Sequence, residues 1–164
     1  MSTYKPCPKG FYCPRGTDRP EHCPIGTFDP FGSLKSVAEC SLCPPGKYCS
    51  ERGLTTPKGD CFAGFLCTLG SPRPDPINEP WGNYCPPGGF CPSGTALQRN
   101  CPKGTYNPLP RGKSSEDCAP CIPGYYCLGD ALPTPTGKCP GGHFCPKSCS
   151  DPTANPASPG NYAP

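Results

Sequence analysis

Eight cysteines, Cys7, Cys13, Cys23, Cys40, Cys43, Cys49, Cys61 and Cys67, reappear 78 residues later as Cys85, Cys91, Cys101, Cys118, Cys121, Cys127, Cys139 and Cys145. No insertion or deletion interrupts the register. Loop-rich chains tolerate changes of length unless the thiols have to meet at fixed geometry, so an ungapped period means that the sulfurs set the fold. The chain is a tandem array of two cysteine-rich units rather than one globule.

The chain has few residues with which to build any other interior. Leu, Ile and Val together number 13 in 164 residues, with 7 Phe, against 17 Cys, 29 Pro and 21 Gly. A chain so poor in large aliphatics is disordered when its net charge is high, but here the formal charge is +3 and about one residue in ten is cysteine. This is the balance of a disulfide scaffold, in which each cross-link contributes roughly 2–4 kcal/mol by restricting the unfolded ensemble. Such cross-links persist in an oxidising compartment, so the expected location is extracellular or at the cell surface, a flagellar or ciliary surface included. The charge is weak and forms no Lys or Arg run, which argues against nucleic acid or an anionic membrane as partner. No apolar run is long enough to insert in a membrane.

A smaller motif recurs eight times. Each cysteine that opens it is followed at the third position by glycine, with proline in between in most copies, as in Cys7-Pro8-Lys9-Gly10 and Cys43-Pro44-Pro45-Gly46. Proline at the second position and glycine at the fourth suit a tight turn that reverses the chain just after the sulfur. Tyr12, Tyr48, Leu66, Phe90, Tyr126 and Phe144 directly precede the second cysteine of each C-x5-C pair and are expected to lie over the disulfides as small local cores. Proline and glycine leave no helical period, so the expected fold class is small and disulfide-rich, mostly irregular with short β-ribbons, an elongated array of modules. The ribbons are expected near residues 10–13, 47–49, 88–91 and 125–127.

The domain reading is a first cysteine-rich unit over residues 1–70, a proline-rich linker over 71–84, a second unit over 85–148 and a second proline-rich linker over 149–164 that leads into a third unit. Pro159-Gly160-Asn161-Tyr162 matches the Trp81-Gly82-Asn83-Tyr84 that precedes Cys85. No export signal opens the sequence, and the expectation is a segment of a longer polypeptide.

The strings CPKGFYCPRGT, CPPGKYC, CPPGGFCPSGT and CPKGTYNPLPRGKSSEDCAPC resemble the cysteine-rich repeats of ephrin-receptor and tumour-necrosis-factor-receptor type, over nearly the whole chain. The resemblance implies disulfide ladders with little regular secondary structure, of the kind that serve as ligand-binding surface, spacer or fibre subunit. It also implies interleaved pairing: Cys7 with Cys23, Cys13 with Cys40, Cys43 with Cys61 and Cys49 with Cys67, and likewise Cys85 with Cys101, Cys91 with Cys118, Cys121 with Cys139 and Cys127 with Cys145. The alternative is pairing between neighbours, Cys7 with Cys13 and Cys23 with Cys40. Spacing alone does not choose among the 105 pairings open to eight cysteines.

Cys149 stands outside the register, where the first unit has Ser71. It is expected either to stay unpaired or to bridge, to a cysteine beyond residue 164 or to a neighbouring chain. Each unit has one C-x2-C pair, and His22 and His143 occupy unrelated places in the repeat, so no metal or other cofactor is expected. No Ser, His and Asp motif and no phosphate-binding loop supports an enzyme. N-linked glycans are not expected, since none of the six asparagines has Ser or Thr two positions on. Thr56, Ser71, Thr134 and Ser158, each followed by proline, are candidate O-glycosylation sites. The functional expectation is a non-catalytic extracellular structural module, a stapled segment of a larger stalk, fibre or filament, whose partners are other copies or further units of the same protein, and glycans. The alternative is a ligand-binding ectodomain segment of a receptor, with residues 18–22, 50–53 and 110–115 as its variable face.

Overall fold

A computed structural model describes residues 3–158. The buried apolar side chains of these residues are thirteen cysteines, joined by Pro76. No larger side chain forms a core, as the shortage of aliphatics requires. Eight disulfides link the sixteen cysteines of the repeat. The described residues hold two-stranded antiparallel ribbons and two single 3-10 turns, Val37–Glu39 and Ser115–Asp117, with no α-helix among them.

The interleaved pairing is overturned. Cysteines bond to their neighbours: Cys7 to Cys13, Cys23 to Cys40, Cys43 to Cys49 and Cys61 to Cys67, then Cys85 to Cys91, Cys101 to Cys118, Cys121 to Cys127 and Cys139 to Cys145. The reason is local. In seven of the eight motifs the amide of the fifth residue bonds to the carbonyl of the second, as from Phe11 to Pro8 (3.2 Å) and from Lys47 to Pro44 (3.1 Å). The turn therefore begins at the residue after the cysteine, one position later than the sequence suggests, and glycine is its third residue. Gly10 and Gly46 have φ of +80° and +82°, the left-handed conformation that a type II turn demands there. The hairpin returns Cys13 to 5.9 Å from Cys7, Cα to Cα, which is bonding distance.

After the turn, two residues pair with the two residues that precede the next opening cysteine: Phe11–Tyr12 with Glu21–His22, Thr27–Phe28 with Ser41–Leu42, and Lys47–Tyr48 with Gly59–Asp60. In the second unit Gly89–Phe90 pairs with Arg99–Asn100, Thr105–Tyr106 with Ala119–Pro120, and Tyr125–Tyr126 with Gly137–Lys138. All four expected ribbons are present, along with others that the periodicity did not mark. Tyr48 and Tyr126 lie half-buried against the cross-strand glycines Gly59 and Gly137, where a Cβ would sit 3.3 Å from the ring. Phe144 is exposed.

Successive motifs are then locked through the backbone. The carbonyls of Gly10, Gly26, Gly46, Gly88, Gly104 and Gly124 each accept the amide of the next opening cysteine, as Gly10 accepts Cys23 (3.0 Å) and Gly104 accepts Cys121 (2.8 Å). The glycine amide in turn donates to the residue six places beyond that cysteine, as Gly26 donates to Cys49 (2.8 Å). These bonds satisfy main-chain groups that so thin a core could not otherwise cover.

The chain divides into two compact units. The first runs to Tyr84 and includes Ser93–Ala96, and the second takes Cys85–Pro92 and continues from Leu97. The segment 71–84 is not a linker. Ser71 and Pro76 are fully buried, Gly82–Tyr84 pairs with Phe65–Cys67, and Phe62 donates its amide to the Pro74 carbonyl (2.9 Å). Four prolines stiffen a loop that folds back onto the fourth disulfide. Residues 149–158 are likewise tied in, through Phe144 N–H to Asn155 (2.9 Å) and Ala157 N–H to Gly142 (2.7 Å). The expected opening of a third unit, residues 159–162, lies outside the described residues.

Candidate interaction surface

Two of the eight motifs lack a cysteine six residues after the first, and their loops are closed in another way. Asp29 stands six residues after Cys23, and Asn107 six after Cys101. Both are 2% exposed. The Asp29 carboxylate accepts the amides of Gly10 (3.1 Å), Phe31 (2.9 Å) and Gly32 (3.0 Å). Asn107 does the same work with mixed polarity: its Nδ2 donates to the Gly89 carbonyl (3.0 Å), and its Oδ1 accepts the Leu109 amide (3.1 Å). A buried carboxylate or amide thus replaces the short disulfide, and Cys23 and Cys101 reach forward to Cys40 and Cys118 instead.

The polar clasp holds an apolar residue outward. Phe31 and Leu109, 78 residues apart and both tied by their amides to the clasp, are 85% and 68% exposed. Sequence reasoning passed over all four residues, although the signal was present: the C-x5-C count fails in two motifs, and the substitute in each is a side chain that bonds backbone two positions on. Below each clasp a 3-10 turn brings round the distant cysteine. Its last residue, Glu39 or Asp117, accepts the amides of Lys35 and Ser36, or of Lys113 (2.6 Å) and Ser114 (3.1 Å). Those two backbone donors hold the Asp117 carboxyl below the usual carboxylate range.

In the first unit, residues 3–8 and 13–20 line a groove of about 930 Å³ beside the Cys7–Cys13 bond. The variable residues 18–22 are exposed, and the His22 ring lies tilted against that of Phe11 with centroids 4.4 Å apart. Residues 50–52 are exposed, while Gly112 in the 110–115 loop is buried. Of the proposed sugar acceptors, Thr56, Thr134 and Ser158 are exposed. Ser71 is corrected: it is fully buried, with its hydroxyl donating to the Arg73 carbonyl (2.8 Å). Cys149 forms no disulfide among the described residues. It is buried, and its Sγ donates to the Asp151 carbonyl (3.2 Å), the contact that Ser71 makes two residues ahead. Cys149 is the thiol counterpart of that hydroxyl.

Among the described residues no group of three or more His, Cys, Asp or Glu is placed to hold a metal ion, and no helix is long and apolar enough to cross a membrane. No protein-family model matches the chain. It is similar to ABC transporter G family member 25 of Oryza sativa subsp. japonica, 34% identical over 104 residues that make up 62% of this chain and 9% of that protein. It is also similar to ABC transporter G family member 28 of Arabidopsis thaliana, 32% identical over 113 residues, 63% of this chain and 10% of that protein. The chain thus spans about a tenth of the length of the relatives it matches. What structure and sequence together establish is a small, disulfide-stapled, irregular β-containing module of the cysteine-rich repeat class.

Proposed function

We propose that this chain is a non-catalytic structural module, a cross-linked segment of a larger extracellular stalk, fibre or filament at a cell or flagellar surface. The observation that carries the reading is the interior: twelve of the thirteen buried cysteines are joined in disulfides, so the fold depends on oxidation and resists local opening in an oxidising medium. The exposed Thr-Pro and Ser-Pro sites suit decoration with O-linked sugar at such a surface. Limited proteolysis of oxidised and reduced protein tests the reading. Oxidised chain stays intact under conditions that digest the reduced chain, and equal digestion of the two refutes a structural role built on disulfides.

A second reading is a ligand-binding segment on the outer face of a larger membrane protein. The similarity to two transporters favours it. The clasped residues Phe31 and Leu109 are then the contact points. A membrane-impermeant label that reaches the lysines of this segment in intact cells, on a parent polypeptide that also spans the membrane, supports this reading over the first.

A further inference from the structure

The two units share threonine at three places: Thr17 and Thr95, Thr27 and Thr105, and Thr56 and Thr134. The second pair works inside the fold, where its hydroxyls donate to the carbonyls of Pro24 (2.7 Å) and Pro102 (2.6 Å) and close a turn. In the first pair the Thr17 hydroxyl donates to the Arg19 carbonyl (2.7 Å), and Thr95 is 8% exposed. Thr56 and Thr134 differ. Both are exposed, and neither hydroxyl bonds to any group among the described residues. Proline follows each, which holds the threonine extended and offers its hydroxyl no N–H. A full unit follows Thr56 and another precedes Thr134, so the position stays open with a neighbouring unit on either side.

A second repeated feature lies three residues on. Thr56-Pro57-Lys58-Gly59 and Thr134-Pro135-Thr136-Gly137 lead into the ribbon of the third motif, where Gly59 pairs with Tyr48 and Gly137 with Tyr126. Lys58 and Thr136 donate their amides to the Tyr48 and Tyr126 carbonyls, 2.9 Å in both units, which fixes the strand two residues after the threonine. The other ribbons set a side chain there instead: Tyr12 pairs with Glu21, Phe28 with Ser41, Leu66 with Asn83, Phe90 with Arg99 and Tyr106 with Ala119. Against glycine the tyrosine ring can lie across the backbone, and each ring does so while staying only half-buried. About 10 Å of extended chain separates each threonine from that glycine.

We propose that Thr56 and Thr134 carry O-linked sugar and that the tyrosine ring of the same ribbon is its seat. The Thr Oγ attacks C1 of a sugar donor activated as a phosphate ester: the Oγ–C1 bond forms, the bond from C1 to the phosphate oxygen breaks, and the hydroxyl proton passes to the base of the transferase. The apolar C–H face of the sugar then covers the open side of the ring. Packing on glycine accounts for the tyrosine, but nothing inside the fold accounts for the hydroxyl. Both recur 78 residues apart although the residue between proline and glycine drifts from Lys58 to Thr136. The inference rests on the surface reading above and names the hydroxyls that bear the sugar and the ring that orients it.

Mass spectrometry of the intact protein from its source cell tests the acceptors, and NMR of the same material tests the seat. The expected result is the same added sugar mass at Thr56 and Thr134, with sugar protons shifted upfield and in contact with the Tyr48 and Tyr126 ring protons. Tyr48→Leu, which keeps an apolar cover over Gly59, is expected to abolish the upfield shift in the first unit alone while Thr56 stays occupied. Thr56→Ala should return the Tyr48 ring signals to those of sugar-free chain. A bare hydroxyl at either threonine overturns the proposal, as does a sugar whose signals do not move in Tyr48→Leu. Protease resistance retained by sugar-free oxidised chain would leave the disulfide-based structural reading standing while removing this site.

Discussion

The two units share every repeat cysteine and every turn glycine, yet they are not equally relaxed. Where the opening cysteine's carbonyl accepts an amide from the following motif, the donor has positive φ in both units. In the first unit these donors include Gly53 (φ +70°) and Gly70 (φ +80°), and in the second the same positions are Ala131 (φ +58°) and Ser148 (φ +64°). A side chain in that conformation costs roughly 1–2 kcal/mol. The ion pairs Lys47–Asp60, Lys58–Glu51 and Arg73–Asp75 all belong to the first unit. Asp29 makes a charged clasp where Asn107 makes a neutral one. The second unit nonetheless follows the same path, which shows that cross-links and turns dictate the backbone and that the remaining interactions adjust its stability.

The largest test of that comparison removes the long staple from each unit. Cys23→Ala with Cys40→Ala, and Cys101→Ala with Cys118→Ala, each remove a bond that closes a loop of 17 residues and are expected to cost about 3 kcal/mol, against about 2 kcal/mol for a six-residue loop such as Cys43–Cys49. Unit-resolved hydrogen exchange should show equal losses in the two units. A loss confined to one would mean that the staples are not equivalent.

The clasps should separate the units next. Asp29→Ala strips an ionised acceptor from three buried or half-buried amides and is expected to cost about 3 kcal/mol, with Asn107→Ala nearer 1–2 kcal/mol, by chemical denaturation. Asn107→Asp should be worse than Asp29→Asn, because it sets a carboxylate against the Gly89 carbonyl that now accepts from Nδ2. Equal costs would show that polarity at this position is immaterial. Ala131→Gly is expected to stabilise the second unit by about 1 kcal/mol, seen as a higher melting temperature, whereas Gly53→Ala destabilises the first, since its Cβ would meet the His22 ring at 2.6 Å.

Smaller effects follow from titration and from the thiol. The Asp117 carboxyl is held below its unfolded value, so its contribution is present above the unfolded value and is lost as pH falls through the folded one. The second unit should therefore weaken on acidification less steeply in Asp117→Asn than in the parent chain. Cys149→Ser restores the residue type found at position 71 and is expected to change stability by less than about 0.5 kcal/mol. A large loss would mean that Cys149 is more than a copy of Ser71.

The sequence by itself determined the kind of interior, the two-fold repeat and the places where the chain reverses. These depend on residue type alone: too few aliphatics to bury, sulfur at a fixed period, and glycine at the left-handed third residue of each motif's turn. Only the tertiary structure decided which sulfurs meet, because pairing depends on the return path of each hairpin, and a turn shifted by one residue puts Cys7 beside Cys13 rather than Cys23. The same holds for segment 71–84, where proline content signals stiffness but not whether the stiff loop packs. It holds for Asp29 and Asn107 as well, whose hydrogen bonds exist only once the neighbouring motif supplies the backbone groups that they grip.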